Sequence, residues 1–266
     1  MNSFLVDPRN YQVSFLSVFL LYGNWYLGWE TDPLKLIVIL SVCLSTQALG
    51  CYLFKKDYSS LKSAVITSLG LTILLQANSM YTYALAAFLG IACKFIFRMN
   101  GKHFFNPANF GIIAVMLMTG DAWISPGQWG ASGILFFMVG ILGFTVLYSV
   151  NRIDIGLFFI LTLFALDYSR MIIYQGWTHD VIFHKYTNGS LLLFTFFMIT
   201  DPVSTPSGAI TRKAFAIVVA ITAFYLQSFM QLHTAPVWAL FFISPLTVLF
   251  DKLEKAPLFK WIPQTN

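Results

Sequence analysis

Long apolar runs separated by short polar stretches extend along the whole chain. A helix needs about 20 apolar residues to cross the hydrocarbon core of a membrane, and the longer runs reach that length. The pattern predicts an all-α, polytopic membrane protein with about ten transmembrane segments. These segments lie near residues 11–29, 34–54, 63–78, 81–98, 107–119, 130–149, 155–174, 188–201, 209–230 and 234–250.

The composition excludes a soluble protein. Of the 266 residues, 58% are hydrophobic and only 10% are charged, whereas a soluble domain carries about 25% charged residues. The net charge of +5 comes from basic residues in twos and threes between apolar runs. A nucleic-acid surface would instead gather them on one face. The predicted partner is the lipid bilayer, and no nucleic acid is expected.

The basic residues predict the topology. Cytoplasmic loops of membrane proteins carry an excess of Lys and Arg. With ten alternating crossings, three of the 16 basic residues (Lys35, Arg170 and Lys185) fall on the outer side. We therefore predict a multi-pass protein of the inner cell membrane with both termini in the cytoplasm. The basic residues on the cytoplasmic side are Arg9, Lys55, Lys56, Lys62, Lys94, Arg98, Lys102, Arg152, Arg212, Lys213, Lys252, Lys255 and Lys260.

The segment lengths recur in the two halves of the chain. A shift of about 125 residues lays the first five segments over the last five. Because five is an odd number, the second half enters the membrane in the opposite sense, as in transporters built from inverted repeats. We expect one integral membrane domain, 1–266, with inverted repeats over about 11–125 and 130–255.

The third segment of each half is short. Residues 63–75 and 189–200 each make roughly 20 Å of helix at 1.5 Å per residue, too little to cross the hydrocarbon core. Each is followed by residues that cannot continue a regular helix. Irregular backbone at membrane depth requires protein or a water-filled cavity around it. We interpret both segments as half-helices that face an interior site. In the alternative interpretation they reach the surface early and the loops are aqueous.

The polar stretch after the second half-helix is a candidate ligand site. Asp201 directly follows an apolar run. Inserting a carboxylate near the membrane centre costs about 2.5–3.5 kcal/mol of free energy, so such a residue normally has a charge partner or a functional role. Proline prevents the chain from rewinding into a helix. Alternatively, Asp201 caps the next helix or lies at the cytoplasmic interface beside Arg212. The candidate residues of this turn are Thr200, Asp201, Pro202, Ser204, Thr205 and Pro206.

The corresponding stretch of the first half is a second candidate. Asn106 before Pro107 is a strong helix start, with Asn as the cap and Pro at the first helical position. The positive helix end would lie near Lys102 and His103, where a phosphate or a flavin ring carbonyl could dock. Alternatively, this is an ordinary capped helix whose basic residues meet lipid phosphates. The candidate residues are Lys102, His103, Asn106, Pro107 and Asn109.

Other polar residues suggest no further site. Asp167 and Arg170 lie one helical turn apart, so we expect them to neutralise each other, with an ion pathway as the alternative. The chain contains no phosphate-binding loop, nucleophile elbow or zinc-protease motif. We therefore predict no catalytic residues and no metal site.

At the two polar turns the sequence resembles the RnfD and NqrB membrane subunits of ion-pumping electron-transport complexes. Residues 102–111 (KHFFNPANFG) resemble the family's G-K-H-hydrophobic-F-N-P-A segment, and residues 196–206 (FFMITDPVSTP) resemble its F-F-M-x-[ST]-D-P-x-[ST]-x-P segment. Residues 7–12 and 119–130 are similar to those of short RnfD-like proteins typified by UnbU of enediyne biosynthesis.

The resemblance implies ten helices in two inverted five-helix repeats, similar in architecture to urea transporters. It also implies flavin-linked electron transport or coupled ion transport, together with other membrane subunits. We therefore expect a non-catalytic subunit of an ion-translocating oxidoreductase more readily than a stand-alone enzyme. Large family members carry an FMN joined to a Thr in an S-G-A-T motif. Residues 120–130 here have no such motif, and residues 207–211 (SGAIT) insert an Ile. We therefore expect non-covalent FMN or riboflavin and no covalent FMN. Two other functions remain open: a transporter or channel for a flavin or another small solute, and an accessory membrane protein of a biosynthetic pathway.

Overall fold

A computed structural model describes residues 7–124 and 133–261 of the chain. These residues form two compact units. The N-terminal unit contains residues 7–124 together with 259–261, and the C-terminal unit contains residues 133–258.

Five apolar helices make up the N-terminal unit. Three of them begin at a polar residue followed by proline, where the side chain caps the first turn and the proline costs no backbone hydrogen bond. The caps are Asp7, Asp32 and Asn106. The helices are α1 (Pro8–Tyr26), α2 (Pro33–Leu53), α3 (Leu61–Leu74), α4 (Met80–Ile96) and α5 (Pro107–Thr119).

The first cap is reinforced by two cations. The Asp7 carboxylate accepts hydrogen bonds from Arg9 at 2.9 Å and from Lys62 at 3.0 Å. Burial raises the pKa of this carboxyl, but the bonds from Arg9 and Lys62 outweigh burial, so the pKa lies below its usual value. The guanidinium of Arg9 also lies over the ring of Trp261, 5.4 Å from its centroid.

Helix α3 is short, as predicted, and the chain after it is not a loop. Strand β1 (Leu75–Ala77) pairs antiparallel with β4 (Ala122–Ile124), with Gln76 opposite Trp123. The ladder satisfies backbone groups that would otherwise be exposed where the helix stops. The sequence did not predict these strands, because each is only three residues long.

A tight hairpin joins α4 to α5. Strand β2 (Arg98–Met99) pairs with β3 (Lys102–His103). The two turn residues, Asn100 and Gly101, have φ of 52° and 87°. Asn-Gly is the usual dipeptide where a two-residue hairpin requires positive φ at both positions.

The C-terminal unit contains longer helices with irregular turns. Helix α7 (Ile153–Tyr168) continues into a π-helix (Ser169–Tyr174), and the short α9 (Gly189–Leu193) continues into a second π-helix (Phe194–Met198). Helix α11 (Ala235–Ile243) passes through a 3-10 turn (Ser244–Leu246) into α12 (Thr247–Leu253). The other helices are α6 (Gly133–Val150), α8 (His179–Tyr186) and α10 (Ala209–Ser228).

The predicted pairing of Asp167 with Arg170 is wrong. The Asp167 carboxylate accepts from Lys185 at 2.6 Å and from the Tyr186 hydroxyl at 2.7 Å. Arg170 instead lies over the ring of Phe229, 4.5 Å from its centroid. The π-helix that begins at Ser169 changes the spacing of side chains after Asp167. Helix α8, which lies within a predicted loop, supplies the actual partners.

The helices have the dimensions and surface of a membrane protein. Four helical segments of the described residues are long and apolar enough to cross a bilayer: Pro33–Leu53, Ile153–Tyr174, Ala209–Ser228 and Ala235–Leu253. Large apolar side chains such as Leu117, Ile141 and Leu161 are exposed on helix surfaces. Together with the length and composition of these helices, the exposed apolar side chains fit contact with lipid.

Candidate functional site

The five candidate residues of the N-terminal unit lie together where β3 leads into α5. The Asn106 side chain accepts a hydrogen bond from the Asn109 backbone N–H at 3.1 Å, so it caps α5 as predicted. Lys102 and His103 are buried in the hairpin that precedes the cap. Pro107 occupies the first helical position. The five residues thus form one buried polar turn.

Two close helix contacts hold this turn in place. A Cβ added at Gly90 of α4 would lie 2.7 Å from the carbonyl oxygen of Pro107. One added at Gly111 of α5 would lie 2.5 Å from the carbonyl oxygen of Ala86. Only glycine allows the two backbones to approach this closely. The start of α5 therefore packs directly against the backbone in the middle of α4.

Four phenylalanines in and beside the polar turn form an aromatic cluster. The rings of Phe105 and Phe110 have centroids 5.0 Å apart, and Phe97 lies 5.3 Å from Phe110 and 5.4 Å from Phe105. Phe104 completes the cluster, 5.0 Å from Phe105. The turn thus combines buried amides with aromatic rings. A planar heteroaromatic ligand with ring carbonyls needs both kinds of group.

The hairpin has a positive electrostatic potential. Burial, followed by the charges of Lys94, Arg98 and Lys102, lowers the pKa of His103 to about 3. The imidazole is therefore neutral at physiological pH. The surrounding cations favour negative charge at this end of the unit.

The six candidate residues of the C-terminal unit also form one turn. The Asp201 carboxylate accepts from the Val203 N–H at 3.2 Å and from the Ser204 hydroxyl at 2.9 Å. Thr205 donates its hydroxyl to the Asp201 carbonyl at 2.8 Å, and Thr200 donates to the Phe196 carbonyl at 2.6 Å. The turn is completed by Pro202 and Pro206, both of which are buried.

Further charged residues surround the Asp201 turn. Arg152 is buried just before α7. Its pKa is lowered to about 10 by burial and by Arg212, while Asp154, Asp201 and Asp251 act in the opposite direction. The sequence identified only one acid of this group. Asp154 and Asp251 could also have been predicted, because each is a carboxylate close to the predicted cytoplasmic end of a segment.

Asp154 and Asp251 hold neighbouring elements together. Arg212 donates to Asp154 at 2.6 Å, which joins the starts of α10 and α7. The backbone N–H of Ser207 donates to Asp251 at 2.8 Å, which joins the turn to α12.

The Ser207–Thr211 stretch does not fit a covalent flavin. The Glu254 carboxylate caps α10 and accepts from the Thr211 N–H at 2.9 Å and from the Thr211 hydroxyl at 3.0 Å. A phosphoester on that hydroxyl would place phosphate charge against a carboxylate. Residues 125–132, which include the end of the 120–130 stretch compared with the S-G-A-T motif, lie outside the described residues.

Two buried lysines of the N-terminal unit were not predicted as site residues. The Lys94 ammonium donates to Gln47 at 2.7 Å and to Ser63 at 3.1 Å, near the start of α3. The Lys35 ammonium donates to the Leu75 carbonyl at 2.7 Å, at the end of α3. In the sequence, both lysines contribute only to the predicted topology. A lone lysine within an apolar segment was the available signal.

Comparison with known proteins identifies one family. The model of the NQR2, RnfD, RnfE family matches residues 116–260, which is more than half of the chain. The match includes the Asp201 turn and begins after the Asn106 turn. A search of the curated proteins found no match.

Proposed function

The chain belongs to the NQR2, RnfD, RnfE family, and from this membership we propose that it is an RnfD-like subunit of a membrane complex that couples flavin-linked electron transport to ion movement. The family supports a membrane subunit of electron-transport or ion-translocating complexes. The finer assignment rests on the Asn106 turn with its phenylalanine cluster. Its partners would be other membrane electron-transport subunits, in the inner cell membrane.

In this proposal the Asn106 turn holds a non-covalent FMN or riboflavin. The side-chain amides of Asn106 and Asn109 would hydrogen-bond the carbonyls of the ring, and the phenylalanine rings would contact its faces. Lys102 and His103 would lie on the polar side. The flavin would supply one- and two-electron transfer. The cations near His103 would stabilise the negative charge of a reduced ring.

The inverted repeat is also part of the proposal, and the packing within each unit supports it. In the N-terminal unit, α4 contacts α2 and α5, and the short α3 contacts α1. In the C-terminal unit, α10 contacts α7 and α11, and the short α9 contacts α6. Corresponding helices thus pack in the same order. With five segments per unit, the second series starts from the opposite side of the membrane.

The proposal predicts that flavin copurifies with the protein. The test is a visible absorbance and fluorescence spectrum of the protein purified in mild detergent, with FMN and riboflavin titrated into any apoprotein. The variant Asn106→Asp keeps a good helix cap but replaces an amide with a negative charge, so flavin binding should fall at least tenfold with little loss of stability. The matched control is Asn188→Asp, at the cap of α9 in the other unit.

Two outcomes would contradict the flavin assignment. One is the absence of flavin from native protein together with no binding on titration. The other is equal loss of binding in the Asn106 and Asn188 variants. The first result would favour small-solute transport, for which the Asp201 turn is the candidate site, or an accessory role in a biosynthetic pathway. The second would mean that the flavin binds elsewhere than at the Asn106 turn.

A further inference from the structure

Lys35 is buried at the end of the short helix α3, with its charge held entirely by neutral groups. The residue is 4% exposed. Its ammonium donates to the Leu75 carbonyl at 2.7 Å and to the Gln76 side-chain oxygen at 3.3 Å. It also lies 4.9 Å from the centroid of the Tyr83 ring. Among residues 7–124 and 133–261, no carboxylate forms an ion pair with it.

The groups that contact the Lys35 ammonium are of the kinds that bind cations in proteins. Carbonyl oxygens at the end of a discontinuous helix coordinate monovalent cations in transporters, because the C-terminal end of a helix is negative. An aromatic face adds attraction for a positive charge. Lys35 lies in the first turn of its own helix, α2, whose positive end opposes the ammonium. The favourable field therefore comes from α3, and not from the helix that carries the lysine.

The cage around the ammonium is built by the fold. The Tyr83 hydroxyl accepts from the Ala77 N–H at 2.8 Å and lies 3.3 Å from the Gln76 side-chain oxygen. The pairing of β1 with β4 holds Leu75 opposite Ile124. The oxygens that contact Lys35 are thus positioned by tyrosine and strand contacts, and not by the lysine alone.

Lys94 provides a contrast at the other end of the same helix. It donates to Gln47 and Ser63, where α3 begins. The start of a helix presents N–H groups, which do not coordinate cations. One short helix therefore has a buried lysine at each end, each held by neutral oxygens, but only at the Lys35 end is one of these oxygens a backbone carbonyl at the negative end of the helix.

We propose that the C-terminal end of α3 is a binding site for one monovalent inorganic cation, of the sodium class, and that the Lys35 ammonium is the tethered cation that fills it in this chain. Removal of the ammonium would leave the Leu75 and Gln76 oxygens facing a space that a sodium ion with water ligands can occupy. This proposal does not depend on flavin binding.

The test is whether sodium replaces the missing ammonium in Lys35→Ala. Thermal unfolding in detergent is followed at constant ionic strength while choline chloride is exchanged for sodium chloride. Ligand that binds only the folded state raises the unfolding temperature. We expect Lys35→Ala to be destabilised in choline and to recover by roughly 2–5 °C, with saturation, in sodium. The unmodified protein and Lys35→Arg should not distinguish the two salts.

Two further variants make the test specific. The double variant Lys35→Ala with Gln76→Ala should lose the sodium response, because a ligand is removed. Lys94→Ala should be destabilised without any sodium response. The proposal is overturned if folded Lys35→Ala responds equally to sodium and choline, or if Lys94→Ala recovers to the same extent. It is also overturned if neither Lys35→Ala nor Lys35→Met can be isolated folded at any sodium concentration.

Discussion

For a single residue, His103, burial and the charges of the hairpin together change the pH at which the side chain is protonated. The imidazole is buried beside three cations, and its pKa is lowered to about 3 from an ordinary value of 6.5. In the unfolded chain it would bind a proton as the pH falls below about 6.5, whereas in the folded protein it stays neutral until about pH 3. The folded state therefore loses stability as the pH falls through this window.

We predict that His103→Gln reduces the acid sensitivity of the protein. One proton taken up only by the unfolded state changes the free energy of unfolding by about 1.4 kcal/mol per pH unit. Unfolding curves in detergent between pH 7 and pH 4.5 should show a smaller decline for the variant. The control His179→Gln removes an exposed histidine. An unchanged slope in His103→Gln would argue against a buried neutral imidazole.

At the scale of the element, the crossing of α4 and α5 decides where the Asn106 turn lies. Gly90 and Gly111 allow backbone to contact backbone, and small residues serve this purpose between membrane helices generally. The hairpin of β2 and β3 is too short to position the turn by itself. The geometry of the candidate flavin site is thus set by helix packing as much as by its polar residues.

We predict that Gly111→Ala destabilises the protein by about 1–3 kcal/mol, because overpacking forces the helices apart. The added Cβ would lie 2.5 Å from the Ala86 carbonyl oxygen. The control is Gly140→Ala in α6, where a Cβ meets nothing within 4 Å. Unfolding in detergent should separate the two variants. Equal stability of both would show that the crossing is looser than described.

At the scale of the whole molecule, the distribution of charge predicts how the chain lies in the membrane. The loop after α2 carries Lys55 and Lys56, and the corresponding predicted outer loop carries His179 and His184. Membrane insertion favours cytoplasmic placement of basic loops. An inverted repeat requires these two loops to face opposite sides.

Cysteine labelling in cells tests this topology. The native cysteines are first replaced by alanine, and single cysteines are then introduced as Lys56→Cys or His179→Cys. A membrane-impermeant maleimide should label His179→Cys in intact cells and Lys56→Cys only after the membrane is opened. Labelling of both positions from the same side would contradict the proposed crossings. The native cysteines are Cys43, Cys51 and Cys93, all buried.

Local chemistry made much of the architecture predictable. Apolar run length predicts the helices, and polar-proline pairs predict where α1, α2 and α5 begin. Each candidate turn was identified as a unit, because its polar residues are contiguous in the sequence. The Asn100-Gly101 hairpin carried a recognisable signal as well. Whether the candidate residues bind flavin stays a prediction.

What the sequence by itself determined is therefore what depends on neighbours along the chain: helix existence, helix starts and the two polar turns. Only the tertiary structure decided which distant residues meet. Strand β1 pairs with residues more than forty positions away. Asp167 forms its ion pair with Lys185 and not with Arg170, and the Lys35 ammonium donates a hydrogen bond at the end of α3. Such contacts depend on how helices pack and where a π-helix shifts the spacing. Periodicity along a single segment carries no information about them.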